Sequence, residues 1–258
     1  MACINFPSPV FGPIHSRRLG TSLGLNLLPE GGKLCSFDCI YCECGFNKDN
    51  RENTKLPSRE KVRTVLEKKL IQLTQEGVAP DVFTFAGNGE PTSHPDFEEI
   101  VGDVIELRDK YFPKAKISVL SNSTFIAKPH VFRALKRVDN NILKLDTVNE
   151  EFIKMVDRPN SSYDLKKTIE NLKKFNGDLI IQTIFLKGRT QGKEIDNTTE
   201  EFVAPWISTL KEIQPKEVMI YTLARETPAP NLEKISKEKM DKIGQRLKNE
   251  GFRVSVSY

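Results

Sequence analysis

Short apolar runs with strand character alternate with helix-patterned stretches along nearly the whole chain, and this alternation constrains the fold more than any other feature. Residues 22–28 place apolar side chains against small or polar ones, as a first strand does. Residues 58–76 read as a helix: Ser58 is a fitting N-cap, Glu60 lies in the first turn, and Val62, Val65, Leu66, Leu70 and Leu73 share one face, with Gly77 beyond the end. Further strands are predicted at 81–86, 116–120, 141–146, 179–186, 218–222 and 252–257. Helices separate them near 95–111, 129–135, 150–156 with 162–175, 198–213 and 236–250. Strands that alternate with helices pair in parallel through right-handed crossovers. At 258 residues, one α/β domain over 1–258 is expected.

Of five cysteines, three crowd into Cys35-Ser-Phe-Asp-Cys39-Ile-Tyr-Cys42. A tight loop can turn three thiolates toward one centre, and soft sulfur selects iron–sulfur clusters, zinc or cuprous copper over hard cations. Four protein ligands normally complete a structural zinc or a fully bound cube, so three leave one iron of a 4Fe-4S cluster open to a substrate or cofactor. Two plainer readings compete. Cys44 could be the fourth ligand of a zinc site, although ligands two residues apart chelate one ion poorly. The thiols could instead be small core residues, although Ser36, Asp38, Glu43 and the glycines Gly31, Gly32 and Gly45 mark a loop.

The spacing Cys-x3-Cys-x2-Cys, with Tyr41 before the third cysteine, resembles the cluster loop of the radical S-adenosylmethionine (SAM) enzymes. Gly87-Asn-Gly-Glu-Pro-Thr92, one strand later, resembles that family's Gly-Gly-Glu-Pro segment, with Asn88 in place of the second glycine. The resemblance implies a partial (β/α)6 barrel with an additional C-terminal edge strand. It implies a 4Fe-4S cluster on Cys35, Cys39 and Cys42, SAM chelating the open iron, and reductive cleavage to a 5′-deoxyadenosyl radical that abstracts hydrogen from a substrate. SAM contacts are implied for Tyr41, for Gly87, Asn88, Gly89, Glu90 and Pro91, for Ser121 and Asn122 after the third strand, Asp146 after the fourth, Arg158, and Ile184 in the fifth. For Ser121 and Asp146, N-capping of the following helix is the plainer reading, and for Arg158 a surface ion pair. The resemblance also implies an electron donor such as flavodoxin or ferredoxin.

The runs Ser16-Arg-Arg-Leu-Gly20, Gly89-Glu-Pro-Thr92 and Asp157-Arg-Pro159 look similar to small proteins grouped with the archaeal tRNA wyosine-forming enzymes. Those enzymes hold a second cluster on further cysteines, whereas only Cys3 and Cys44 remain here. A glycyl-radical activating enzyme is a lesser alternative, since such activases often carry Asp-x-Lys on strand four and this chain reads Lys144-Leu-Asp146. A non-catalytic iron–sulfur or zinc module is another. The substrate, whether small molecule, RNA or peptide, has no signature.

Residues 10–20, rich in glycine and proline, point to irregular structure, with Arg17 and Arg18 either solvated or clamping a phosphate or carboxylate near the cluster. Glu233 with Lys237 and Glu238 with Lys242 are spaced for helical ion pairs. His15, His94 and His130 show no metal spacing, and His94 before Pro95 reads as a turn residue. Net charge is +4, 39 Lys and Arg against 35 Asp and Glu, spread along the chain, so nucleic-acid binding is neither required nor excluded. The beginning of the chain lacks an apolar leader and no span is long enough for a membrane, so a cytoplasmic protein without membrane association is expected, a compartment that suits free thiols.

Overall fold

A computed structural model describes residues 4–16, 18–49 and 55–258. The chain opens with an antiparallel hairpin, β1 (Val10–Ser16) and β2 (Gly20–Leu25), followed by α1 (Arg59–Glu76), β3 (Val82–Phe85), α2 (Phe97–Tyr111), β4 (Lys116–Ser121), α3 (Pro129–Leu135) and β5 (Asn140–Lys144). A single turn, α4 (Glu150–Phe152), continues into π-helical residues Ile153–Asp157. Then come α5 (Leu165–Lys173), β6 (Ile180–Thr190), β7 (Lys193–Asp196), α6 (Glu200–Ile213), β8 (Glu217–Thr222), β9 (Leu232–Lys234), α7 (Lys237–Asn249) and β10 (Val254–Ser257).

Strands β2, β3, β4, β5, β6, β8 and β10 pair in that order, all parallel, with β1 antiparallel at the first edge. The sheet curls into a half barrel of six parallel strands with β10 beyond them, as the sequence implied. Side chains alternate across each strand. One face carries Leu23 beside Phe83 and Phe83 beside Ile117, all buried under the helices. The other carries Ser22 hydrogen-bonded to Thr84 at 2.8 Å, and Lys144 beside Gln182. The helices therefore cover the larger apolar face, and the barrel interior mixes polar groups with a small apolar cluster of Ile142, Ile180 and Met219, a lining that suits a ligand better than a dry core does.

The helix α1 shows how local sequence produces this. Ser58 Oγ accepts from Lys61 N at 3.2 Å, and Gly77, at φ 69°, closes the last turn on Leu73 and Thr74 carbonyls. Val62, Leu66, Leu70 and Leu73 are buried against the sheet, each worth about 2 kcal/mol of burial.

Two expectations are corrected. Residues 10–16 form β1 despite Gly12 and Pro13, because β1 is an edge strand whose register shifts between Phe11 and Ile14, where a missing N–H breaks no ladder bond. Phe11 also lies over Gly24, where a Cβ would meet its ring at 2.1 Å. Lys237 pairs with Asp241 at 2.6 Å and not with Glu233, which lies in β9 and pairs with Lys187 at 3.1 Å. Glu238 and Lys242 do pair, at 2.6 Å. Among the described residues no helix is long and apolar enough to cross a membrane.

Candidate functional site

The cysteine loop lies over the carboxyl ends of the strands and is bound along both edges. On one side Leu34 bridges Gly89 in parallel, with Leu34 N donating to Asn88 O at 2.8 Å and Glu90 N to Leu34 O at 3.2 Å. On the other, Phe37 bridges Pro159, Asp38 N donates to Asp157 O at 3.0 Å, Ile40 N to Val156 O at 2.9 Å and Asn160 N to Ser36 O at 2.9 Å. Segments far apart in sequence, 34–42, 87–90 and 156–160, are thereby joined by backbone hydrogen bonds. Gly89 makes this approach possible: at φ 134°, a Cβ there would stand 1.9 Å from Leu34 O.

All three thiols are unbridged, and Lys33 is buried beside them, donating to Gly45 O at 3.0 Å. Burial opposes the lysine charge, but Cys42, Cys39, Cys35 and Asp38 outweigh it and raise the ammonium above its ordinary range. Burial pushes Cys35 up to about 12 and raises Cys39. Cys42 goes the other way, down to about 6, chiefly through a hydrogen bond from Cys44, so it is the thiol that ionises first. Cys44 Sγ also lies 3.4 Å from Gly87 O. Asn122 Nδ2 donates to Cys35 Sγ at 3.4 Å and Lys144 Nζ lies 3.9 Å from Cys39 Sγ. Cys3 and Arg17 lie outside the described residues.

Glu90 is buried, and its carboxylate ties two strand ends together. It accepts from Thr92 N at 3.1 Å, Ser121 Oγ at 2.9 Å and Asn122 N at 2.6 Å, and from the Thr92 hydroxyl. Burial raises its pKa against these bonds. Pro91 opens a 3-10 turn, Pro91–Ser93, that leads to His94, whose Nδ1 accepts from Asp96 N at 3.1 Å. Asn88 points elsewhere: Oδ1 accepts from Phe6 N, and Nδ2 donates to Phe6 O and Pro29 O, each at 2.9 Å. Its side chain fastens the N-terminal segment, which is the physical reason for an amide where the family has glycine. Arg158, at φ 52°, lies over Phe46 and 3.9 Å from Asp38.

Tyr41, Asp146 and Ile184 are brought together with residues the sequence reading missed. Asp146 Oδ1 accepts from Ile184 N at 3.1 Å, and Oδ2 accepts from Tyr41 OH and Lys144. Lys144 also bonds Tyr41 and, at 2.6 Å, Asp157. Burial disfavours the lysine charge, but Asp146 and Asp157 overcome it and hold it well above its usual range. One cation between two carboxylates leaves one acid without a partner charge, and burial pushes Asp157 up to about 7. A signal existed in the sequence: alternation along β5 puts Lys144 on the face of Ile142, inside the barrel.

A pH dependence follows. Asp157 in the folded chain keeps a proton that the unfolded chain releases near pH 3.9. Its contribution to stability is full below that value and lost as pH rises through 7, with a slope of at most about 1.4 kcal/mol per pH unit. Denaturant unfolding of metal-free protein between pH 5 and 8 is expected to show this slope, and Asp157→Asn to flatten it. Equal slopes in both chains would assign the proton elsewhere.

The profile of the Radical SAM superfamily matches residues 30–202, and the chain belongs to that superfamily. It is 30% identical over 238 residues to a protein of Brachyspira hyodysenteriae named GTPase Obg, covering 90% of this chain and 32% of that one. It is 33% identical over 221 residues to a UPF0026 protein of Methanocaldococcus jannaschii, covering 83% and 63%, and 30% identical over 230 residues to a UPF0026 protein of Synechocystis sp., covering 86% and 78%. The chain thus spans about a third of the first relative and less than two thirds of the second. Among solved structures it matches a radical SAM methyltransferase from Sphaerobacter thermophilus (TM-score 0.66, 14% identity, 91% of this chain and 65% of that one). It also matches Streptococcus suis SuiB bound to S-adenosylmethionine (0.63, 15%, 88% and 48%) and archaeal TYW1 (0.54, 11%, 88% and 71%). At such identities the likeness is one of fold.

The donor set fits the cluster that this superfamily normally carries. Three thiols on one clamped loop face a buried lysine that offsets thiolate charge. Among the described residues no three His, Cys, Asp or Glu side chains are close enough to grip a single metal ion. Cys35, Cys39 and Cys42 are the residues that would hold a cluster, as soft sulfur ligands, and the cluster would supply one-electron chemistry there.

Proposed function

We propose that this chain is a radical SAM enzyme, with Cys35, Cys39 and Cys42 holding a 4Fe-4S cluster and SAM completing it. The observation that carries the reading is the double clamp on the cysteine loop, which joins the cluster motif to Gly87–Glu90 through Leu34 and Gly89. When bound, cluster and SAM would supply a 5′-deoxyadenosyl radical for hydrogen abstraction. The chain's own residues position and shield. Glu90 fixes Ser121 and Asn122 at the end of β4, and Asp146 fixes the backbone at Ile184. Asn122 and Lys144 present N–H donors toward Cys35 and Cys39, favouring their thiolates. Ile40, Ile184 and Leu223 form an apolar wall that limits water. A flavodoxin or ferredoxin would deliver the electron.

The test is iron content and SAM turnover. Anaerobically reconstituted protein is expected to hold about four irons per chain and, with dithionite, to convert SAM to 5′-deoxyadenosine. One zinc per chain with no nucleoside product would replace this reading with a structural metal module.

A further inference from the structure

The cleft between the two free edges of the half barrel has a chemistry of its own. It encloses about 470 Å³ and is lined by Phe11, His15 and Arg18 from the β1–β2 edge, by Arg225 after β8, by Lys234 of β9, and by Tyr258 after β10 at the other edge. A second cavity of about 220 Å³ shares Arg18, Glu43, Ala224 and Arg225 with it and reaches Tyr41, Cys42 and Ile184. Together they have the size of small-molecule sites. The charged groups facing this space are Arg18, Arg225, Lys234 and Glu43, with His15 titratable. Glu43 is already paired with Arg225 at 2.6 Å.

Arg18 is the unusual member. Its guanidinium lies 4.7 Å from the centre of the Tyr221 ring, which fixes its plane. Its Nη1 is buried and has no hydrogen-bond partner. Gln182 Nε2, on a strand face shared with Ile180 and Ile184, is a second buried donor in the same condition. A buried donor without an acceptor is destabilising, so a cation held this way is a mismatch that an incoming oxygen acceptor would remove. A planar guanidinium matches the two oxygens of a carboxylate or phosphate better than any other side chain. A mere plug between Tyr221 and the barrel floor would be served as well by an apolar side chain.

We propose that the edge cleft is the substrate site and that its substrate is a small molecule bearing an oxyanion, carboxylate or phosphate, gripped by Arg18. The anchored molecule then occupies a cavity that shares Arg18, Glu43, Ala224 and Arg225 with the one Cys42 lines. This rests on the radical SAM reading for its chemistry, but anion binding needs neither iron nor SAM.

The experiment titrates inorganic phosphate and succinate separately into the reconstituted protein, following ³¹P line broadening for the first and ¹H saturation transfer for the second. At least one anion is expected to saturate in the millimolar range. Arg18→Gln is expected to weaken it tenfold or more, while Arg189→Gln, at an exposed position near the end of β6, leaves it unchanged. Arg18→Lys retains charge and loses the fork, so it should weaken binding less, and it carries the test if Arg18→Gln fails to fold. The responding arm tells phosphate from carboxylate. The proposal is overturned if neither anion saturates, if the Arg18 variants bind like the parent, or if SAM displaces the anion one for one. Protein that cleaves SAM but ignores both anions would refute this inference alone, and protein that takes up no iron on reconstitution yet binds them through Arg18 would refute only the cluster reading.

Discussion

Serine at Cys35, Cys39 or Cys42, one at a time, is expected to reduce reconstituted iron to a small fraction of the parent and bring 5′-deoxyadenosine formation to background, while Cys44→Ser retains most of both. If Cys35, Cys39 and Cys42 hold the cluster as proposed, exchange of sulfur for oxygen replaces a soft ligand with a hard and far less acidic one, and with three protein ligands none is redundant. Cys44 stands apart from this set: its thiol serves Cys42 as a hydrogen-bond donor and lies 3.4 Å from Gly87 O. A serine hydroxyl, like the thiol, carries one proton and can make the same single donation. Loss of all metal in Cys44→Ser, matching the other three, would mean a four-thiol site and would return the zinc reading to first place. Folding is checked by near-UV circular dichroism of the metal-free proteins, which should be alike.

What the sequence made legible was the part set by periodicity and by spacing. Alternating strands and helices place seven parallel strands in order, because a crossover helix and a right-handed connection leave little topological freedom. The edges were not legible for the same reason. β1 carries Gly12 and Pro13 and depends on a register shift and on Phe11 packing over Gly24, while β7 and β9, at four and three residues, exist only by pairing with the extended end of β6. Within the site, the cysteines and Gly87–Pro91 stood out as motifs. Lys33 and Tyr221 did not, and Lys144 and Asp157 were visible only as members of Lys144-Leu-Asp146 and Asp157-Arg-Pro159 without a role, since their roles arise from charges brought together by the fold. Asn88 shows the converse, a motif position whose backbone serves the loop while its side chain works on Phe6 and Pro29.

Gly89→Ala is expected to be the most damaging alanine substitution among the described glycines. The added carbon would stand 1.9 Å from Leu34 O, 2.5 Å from Leu34 C and 3.0 Å from Leu28 Cδ1, at a φ of 134° that L-residues rarely adopt. Two of these obstacles are backbone and have no rotamer to yield. Backbone strain of about 1 to 3 kcal/mol and overpacking of about 1 to 3 kcal/mol together predict a loss of about 2 to 6 kcal/mol. Relief requires breaking the bonds from Leu34 N to Asn88 O and from Glu90 N to Leu34 O, and Leu34 is the residue before Cys35. Stability and iron incorporation should therefore fall together. Gly77→Ala is the proper comparison, because Gly77 also has positive φ but no atom within 4 Å of where its added methyl carbon would stand, so its cost should be about 1 kcal/mol with iron binding intact. Denaturant unfolding of both metal-free variants, followed by reconstitution, decides the matter. If Gly89→Ala costs no more than Gly77→Ala and still takes up iron, the bridge between the two motifs is not what positions the cysteine loop.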